Sequence, residues 1–167
     1  MFNCGDAVVY GTHGVCTVVE ITNFDFTGSE KPYYVLQPKN EKLQIYVPCD
    51  NDTLLSRMHP VLTKTEIDSV IRSLIESEGV WIENDSVRKD HWGKVIKKGD
   101  RDELISMIHV LSAKQTELKE NKKHFHMTDE RFLREAERLL HEEFAFVLDI
   151  PVSEVSDYVE AKIKSYS

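Results

Sequence analysis

The spacing of apolar residues changes once along this chain, near Pro60, and that change limits what each half can become. Before it, apolar residues come in short runs separated by turn formers: Ala7-Val8-Val9-Tyr10, Val15 to Ile21, Tyr33-Tyr34-Val35-Leu36 and Leu43 to Val47. Such runs read as strands. The second is rich in β-branched side chains that suit a pleated surface, and the fourth alternates with period two until Pro48 ends it. Gly11 and Gly14 supply a tight turn, whereas Thr22 to Lys31, with Phe24 and Phe26 two apart and Gly28 at the tip, predicts a longer twisted connection. About five short antiparallel strands over this length predict a small, strongly curved barrel or roll.

After Pro60 the apolar period becomes about 3.6 residues. Thr63 and Glu66 form a capping box, followed by Ile67, Val70, Ile71, Leu74 and Ile75 on one helical stripe, with Gly79 expected to end the helix in a left-handed conformation. A second helix is predicted from Asp85 or Ser86 to Lys98, with Trp92, Val95 and Ile96 on its inner face and Gly99 at its end. Asp100 and Glu103 open a third helix that reaches about Glu120, carrying Leu104, Ile108, Leu111 and Leu118. Thr128, Asp129 and Glu130 open a fourth, with Phe132, Leu133, Ala136, Leu139, Leu140 and Phe144 buried, and Ser153 is expected to cap a short last helix. The predicted fold class is α+β: a small N-terminal β barrel over 1–58 followed by a C-terminal bundle of about five helices over 59–167.

The net charge of −8 on 167 residues argues against a surface that binds polyanions everywhere. The charge is uneven, however. Residues 87–126 hold ten Lys/Arg and six Asp/Glu, a local +4, and the remainder carries −12. That basic island is either an ordinary solvated face or a local phosphate-contacting surface. No apolar run approaches the roughly 18 to 20 residues of a membrane-spanning helix. Met1 to Tyr10 carries no secretory signal pattern, so a cytoplasmic location is expected. Cys4, Cys16 and Cys49 form no paired motif and are expected to be reduced thiols.

Phosphate-loop, dinucleotide-binding, nucleophile-elbow and zincin motifs are all missing, so neither catalysis nor a cofactor or metal is expected. His124 and His126 lie in a polar stretch without further ligands, and the acidic pairs Asp129-Glu130 and Glu142-Glu143 read as a helix start and a solvated helix face. What remains is a binding protein with no expected small-molecule substrate. Trp92 falls on an apolar stripe and reads as core. Trp81 falls outside any stripe, just ahead of Arg88 and Lys89, and two readings stay open: a wedge against a DNA base step or a plug between domains.

Several segments resemble one family. Phe2-Asn3-Cys4-Gly5-Asp6-Ala7-Val8-Val9-Tyr10, His13-Gly14, Tyr33-Tyr34-Val35-Leu36 and Ile45-Tyr46-Val47-Pro48 are similar to the amino-terminal module of bacterial CarD/CdnL-type transcription regulators. Gly99-Asp100 and the Glu-rich segment Arg131 to Phe144 resemble that family's helical domain. The resemblance implies a Tudor-like β barrel that docks on the RNA polymerase β subunit, and a helical domain that touches promoter DNA at the upstream edge of the melted region. It also implies a tryptophan inserted at the minor groove to stabilise the open complex, without catalysis. Carried onto this chain, the polymerase-binding positions are Phe24, Tyr46, Val47 and Pro48, and the DNA-binding positions are Trp81, Arg88, Lys89, Lys97, Lys98 and Arg131. Relatives often carry arginine where Phe24 and Tyr46 stand, which implies docking by apolar contact here. The alternative function is a protein–protein adaptor that binds polymerase without touching DNA.

Overall fold

A computed structural model describes residues 1–166. The chain divides into two compact units, Met1–Val61 and a second beginning at Leu62.

In the first unit, β1 (Ala7–Tyr10), β2 (Val15–Phe24), β3 (Lys31–Pro38), β4 (Ile45–Pro48) and β5 (Met58–Pro60) form one antiparallel sheet in the order β4-β3-β2-β1-β5. The barrel expected from the sequence is therefore not closed: β4 and β5 are the two edges and do not pair with each other. Both are short and both end in proline, which has no N–H with which to extend a ladder. A bulge between Val18 and Glu20 leaves Val19 unpaired in β2. Val8, Cys16, Val18, Leu36 and Val47 pack into one fully buried cluster. β5 and a single-turn helix α1 (Asp52–Leu55), capped by Asn51, lie where the sequence shows no periodic run.

The second unit contains α2 (Lys64–Glu76), α3 (Asp85–Lys98), α4 (Arg101–Glu120), α5 (Met127–Leu148) and α6 (Val152–Ser165). Three starts are set by side-chain caps: Thr63 Oγ1 accepts from Glu66 N–H, Asn84 Oδ1 from Val87 N–H and Asp100 Oδ1 from Glu103 N–H. Gly99, left-handed at φ 69°, ends α3. Other boundaries differ from expectation. The last helix begins after Pro151 without a cap from Ser153, and α5 begins at Met127, one residue before Thr128. Gly79 is not left-handed, and the reason for a glycine there is tertiary, as described below.

α5 is the spine of this unit. Leu133, Ala136, Leu139 and Leu140 pack with Trp92, Met107 and Leu111 of α3 and α4, whereas Phe144 and Ala145 pack with Ile67, Ile71, Val155 and Val159 of α2 and α6. Two carboxylates on α5, Asp129 and Glu143, are also buried, which corrects the expectation that Glu142-Glu143 is a solvated helix face and adds a buried partner to the helix start read at Asp129-Glu130. Asp129 accepts from Arg88 Nε and Nη2, both at 2.9 Å. Glu143 accepts from the Leu62 N–H at 2.9 Å and pairs with Arg101 at the head of α4. Their neighbours Glu130 and Glu142 instead pair locally with Arg134 and Arg138. Glu143→Ala removes the acceptor shared by Leu62 and Arg101 and is expected to destabilise the helical unit by about 3–5 kcal/mol. Glu143→Gln, which keeps an acceptor for the Leu62 N–H, is expected to cost less. Thermal unfolding followed by far-ultraviolet circular dichroism reads both.

Candidate functional site

Each unit presents one distinctive surface. In the β unit four aromatic rings converge at the turn end of the β2–β3 hairpin. The register that sets Thr22 opposite Tyr33 and Val35 opposite Tyr46 brings Tyr33 and Tyr46 to one face of adjacent strands. Phe24 ends β2 and Phe26 follows it. Ring centroids lie 5.0 Å apart for Phe24–Tyr46, 5.2 Å for Phe26–Tyr33, 5.3 Å for Phe24–Phe26 and 5.5 Å for Phe26–Tyr46. Three of these pairs are edge-to-face, the arrangement that ring quadrupoles favour. Tyr33 is buried beneath the group, while Phe26 is 59% and Tyr46 40% exposed. At its border Lys31 donates to Asp50 at 2.7 Å, which holds the Asp50 carboxyl below its ordinary range.

Of the four positions expected to face a partner, Phe24 and Tyr46 join this patch and Pro48 is half-buried. Val47 does not face outward. Its side chain is fully buried, and what it can offer a partner is the backbone of an edge strand. Phe26 and Tyr33 are members that the sequence reading did not assign. The Phe24-x-Phe26 spacing was the available signal.

In the helical unit Trp81 sits in the connection between α2 and α3, half-buried against the cluster formed by α3, α4 and α5. Two features hold that connection down. Ser106 Oγ donates to the Glu78 carbonyl at 3.2 Å. A Cβ on Gly79 would lie only 2.4 Å from Val110 Cγ2, so close approach to α4 requires glycine. The Arg88 guanidinium carbon lies 4.3 Å from the Trp81 ring centroid and Lys114 Nζ 5.3 Å from it, both within cation–π reach.

Arg88 itself, expected to meet phosphate, is 3% exposed. Its five N–H donors have five contacts: Asp129 twice, Asp85, and the carbonyls of Ile82 and Glu83. Arg88 therefore positions Trp81 and locks α3 to α5.

The remaining cations sort by whether a carboxylate has already taken them. Lys98 is paired with Glu103 at 2.6 Å and Lys94 with Asp90 at 2.8 Å. Lys89, Lys97 and Arg131 are solvent-exposed and make no ion pair among the described residues. Packing of α3 against α5 gathers these three around two grooves that share Lys89 and Phe132. One groove, of about 450 Å³, is bordered by Arg131, and the other, of about 500 Å³, by Lys97. Trp81 borders neither. Among the described residues no three His, Cys, Asp or Glu side chains are arranged to hold a metal ion, and no helix is long and apolar enough to cross a membrane.

The arrangement around Trp81 has a measurable consequence. Gly79→Ala forces the connection away from Val110, with an expected loss of about 1–3 kcal/mol from overpacking and a red-shifted, more quenchable Trp81 fluorescence. In the Gly79→Ala/Val110→Ala double variant the two effects are expected to sum to less than their separate values, which a double-mutant cycle measures.

Comparison with known proteins adds one finding. No curated protein sequence matches the chain. Residues 2–59 match the family model of the CarD-like/TRCF RID domain, a domain class that interacts with the RNA polymerase β subunit, consistent with transcription regulation. That match spans the five-stranded sheet and its aromatic patch almost end to end, and it assigns the amino-terminal unit to the CarD-like/TRCF RID domain class.

Proposed function

We propose that this protein regulates transcription initiation by docking its Tudor-like β unit on the RNA polymerase β subunit and bracing promoter DNA with its helical unit at the upstream edge of the melted region. The match of residues 2–59 to a polymerase-interacting domain carries this reading. The exposed Phe26 and Tyr46 rings, with Phe24 behind them, offer apolar docking area beside the β4 edge. Lys89, Lys97 and Arg131 supply unpaired cations for the DNA backbone, Trp81 is the aromatic wedge at the minor groove, and Lys98 is a secondary contact because Glu103 competes for it. The role is one of binding in the cytoplasm, without catalysis.

Magnitudes favour a tethered mechanism. Three phosphate contacts give a salt slope of only about −2.7, typical of a weak binder. Docking on polymerase converts DNA contact into an intramolecular event at an effective concentration up to about millimolar, where a small patch and one wedge suffice. The net charge of −8 meanwhile disfavours binding to bulk DNA.

One observation favours the adaptor reading as well: Trp81 already has Arg88 and Lys114 within cation–π distance, so the indole is engaged before any DNA arrives. The two readings part in a single experiment. The full chain should bind polymerase, bind naked promoter DNA poorly and lengthen open-complex lifetime. Trp81→Ala and the Lys89→Glu/Arg131→Glu pair should lose the lifetime effect while keeping polymerase affinity, and Phe26→Ser/Tyr46→Ser should lose polymerase affinity itself. If Trp81→Ala leaves the lifetime unchanged while polymerase binding persists, the adaptor reading replaces the wedge.

A further inference from the structure

A further groove in the helical unit is lined by neither Trp81 nor the cations of the two grooves described above. It is an open groove of about 710 Å³ bordered by α2, α4, α5 and α6. One wall runs along α4 from Ile108 through Ser112 and Thr116 to Glu120, one residue per turn over about 18 Å. Small side chains at Ser112, Ala113 and Thr116 keep that wall low. Beneath it the buried Leu140, Phe144 and Val159 close the floor, and the accessible apolar surface is at the lip, where Leu74 and Ile163 are half-buried and Ile75 is 44% exposed.

The charged groups bordering this groove have one sign. Glu117, Glu120, Glu137 and Glu160 line it, and among the described residues no lysine or arginine does. Lys114 reaches Glu117 from its own helix at 3.3 Å, but Glu137 has neither an ion pair nor a hydrogen bond among the described residues. Burial pushes the Glu137 carboxyl above its ordinary range and holds the neighbouring His141 below its own, and desolvation is the cause of both. An apolar trough three turns long with acidic borders has the complement of a helix that carries apolar residues at i, i+4 and i+7 and cations on its flanks.

We propose that this groove receives a basic amphipathic helix from a partner protein, its apolar stripe lying on the accessible Leu74, Ile75 and Ile163 and its Lys or Arg side chains meeting Glu137, Glu120 and Glu160. The proposal stands on the helical unit alone and does not use the polymerase or DNA reading, so either can fail without the other.

The test uses the full chain, isotopically labelled, and an amphipathic peptide of lysine and leucine about 15 residues long, near the length at which a helix sustains itself. Its leucine–glutamate counterpart serves as the control. The expected result is that the lysine peptide shifts amides over 108–120 and 137–144 and the glutamate peptide does not. Ala113→Arg, at an exposed position on the groove wall, should weaken binding at least about tenfold with helicity unchanged, and Glu137→Lys should weaken it independently. If Ala113→Arg fails to fold, Thr116→Arg takes its place. The proposal is overturned if the lysine peptide does not bind, if it binds the wall variants equally, if it shifts amides elsewhere, or if the glutamate peptide binds as well. It is also overturned if sedimentation shows a dimer of the free chain that Ala113→Arg dissolves, which would assign the groove to a second copy of this protein.

Discussion

The helical unit depends on two carboxylates buried in one helix. Asp129 and Glu143 lie near opposite ends of α5, about 21 Å apart along its axis, and each is met by an arginine from the first turn of another helix, Arg88 of α3 and Arg101 of α4. A helix start is unfavourable for a cation because the macrodipole there is positive. Acidic residues in the same turns, Asp85 in α3 and Asp102 and Glu103 in α4, offset this locally, and the buried partner on α5 completes the compensation. A guanidinium fork accepts a carboxylate in few orientations, so these contacts set the rotation of α3 and α4 about α5. Apolar packing alone would tolerate small rolls of each helix; two fork contacts restrict them.

Much of this was present in the sequence, in a form that needed helical phase to be read. Adjacent residues on a helix point about 100° apart, so an acidic pair such as Asp129-Glu130 contributes at most one member to any face. Asp129, Leu133, Ala136, Leu140 and Glu143 follow one another at intervals of four and three, which puts both carboxylates on the buried stripe. Arg88, Trp92 and Val95 do the same on α3. Reading charge as exposure concealed what the phase revealed. The starts of α2 and α4 were easier, because Thr63 and Asp100 cap through contacts only three residues long, whereas the Asn84 cap of α3 was not read. Gly79 was harder, since its reason lies on Val110, thirty-one positions away in the chain.

The β unit shows the same division. Short apolar runs marked β1 to β4, whereas β5, three residues long, gains its identity only by pairing with β1. Within β4 the pleat sends Tyr46 and Val47 to opposite faces, so a contiguous motif cannot present all its side chains to one partner. Tyr46 joins the surface aromatics and Val47 the core. The other members of the patch, Phe24, Phe26 and Tyr33, come from the neighbouring hairpin, and cross-strand register, not sequence adjacency, brings them together.

These constraints bear on why the proposed DNA contact is a weak one. The basic island looks generous as a count, yet Arg88 and Arg101 are consumed by the fold and Lys94, Lys98 and Lys114 are held by neighbouring carboxylates. Freeing Arg88 for a phosphate would break five hydrogen bonds and leave Asp129 buried without its partner, a loss that one exposed phosphate contact does not offset. Of the island's remaining cations, Lys89 and Lys97 line the pair of grooves, with Arg131 beside them, whereas Lys119, Lys122 and Lys123 lie at and beyond the end of α4; on the proposed reading the groove cations are too few to retain DNA at physiological salt and act once something else holds the protein there. On the proposed reading, then, the ion pairs that fix the helical bundle also limit its affinity for nucleic acid, and the contact with polymerase decides where that limited affinity takes effect.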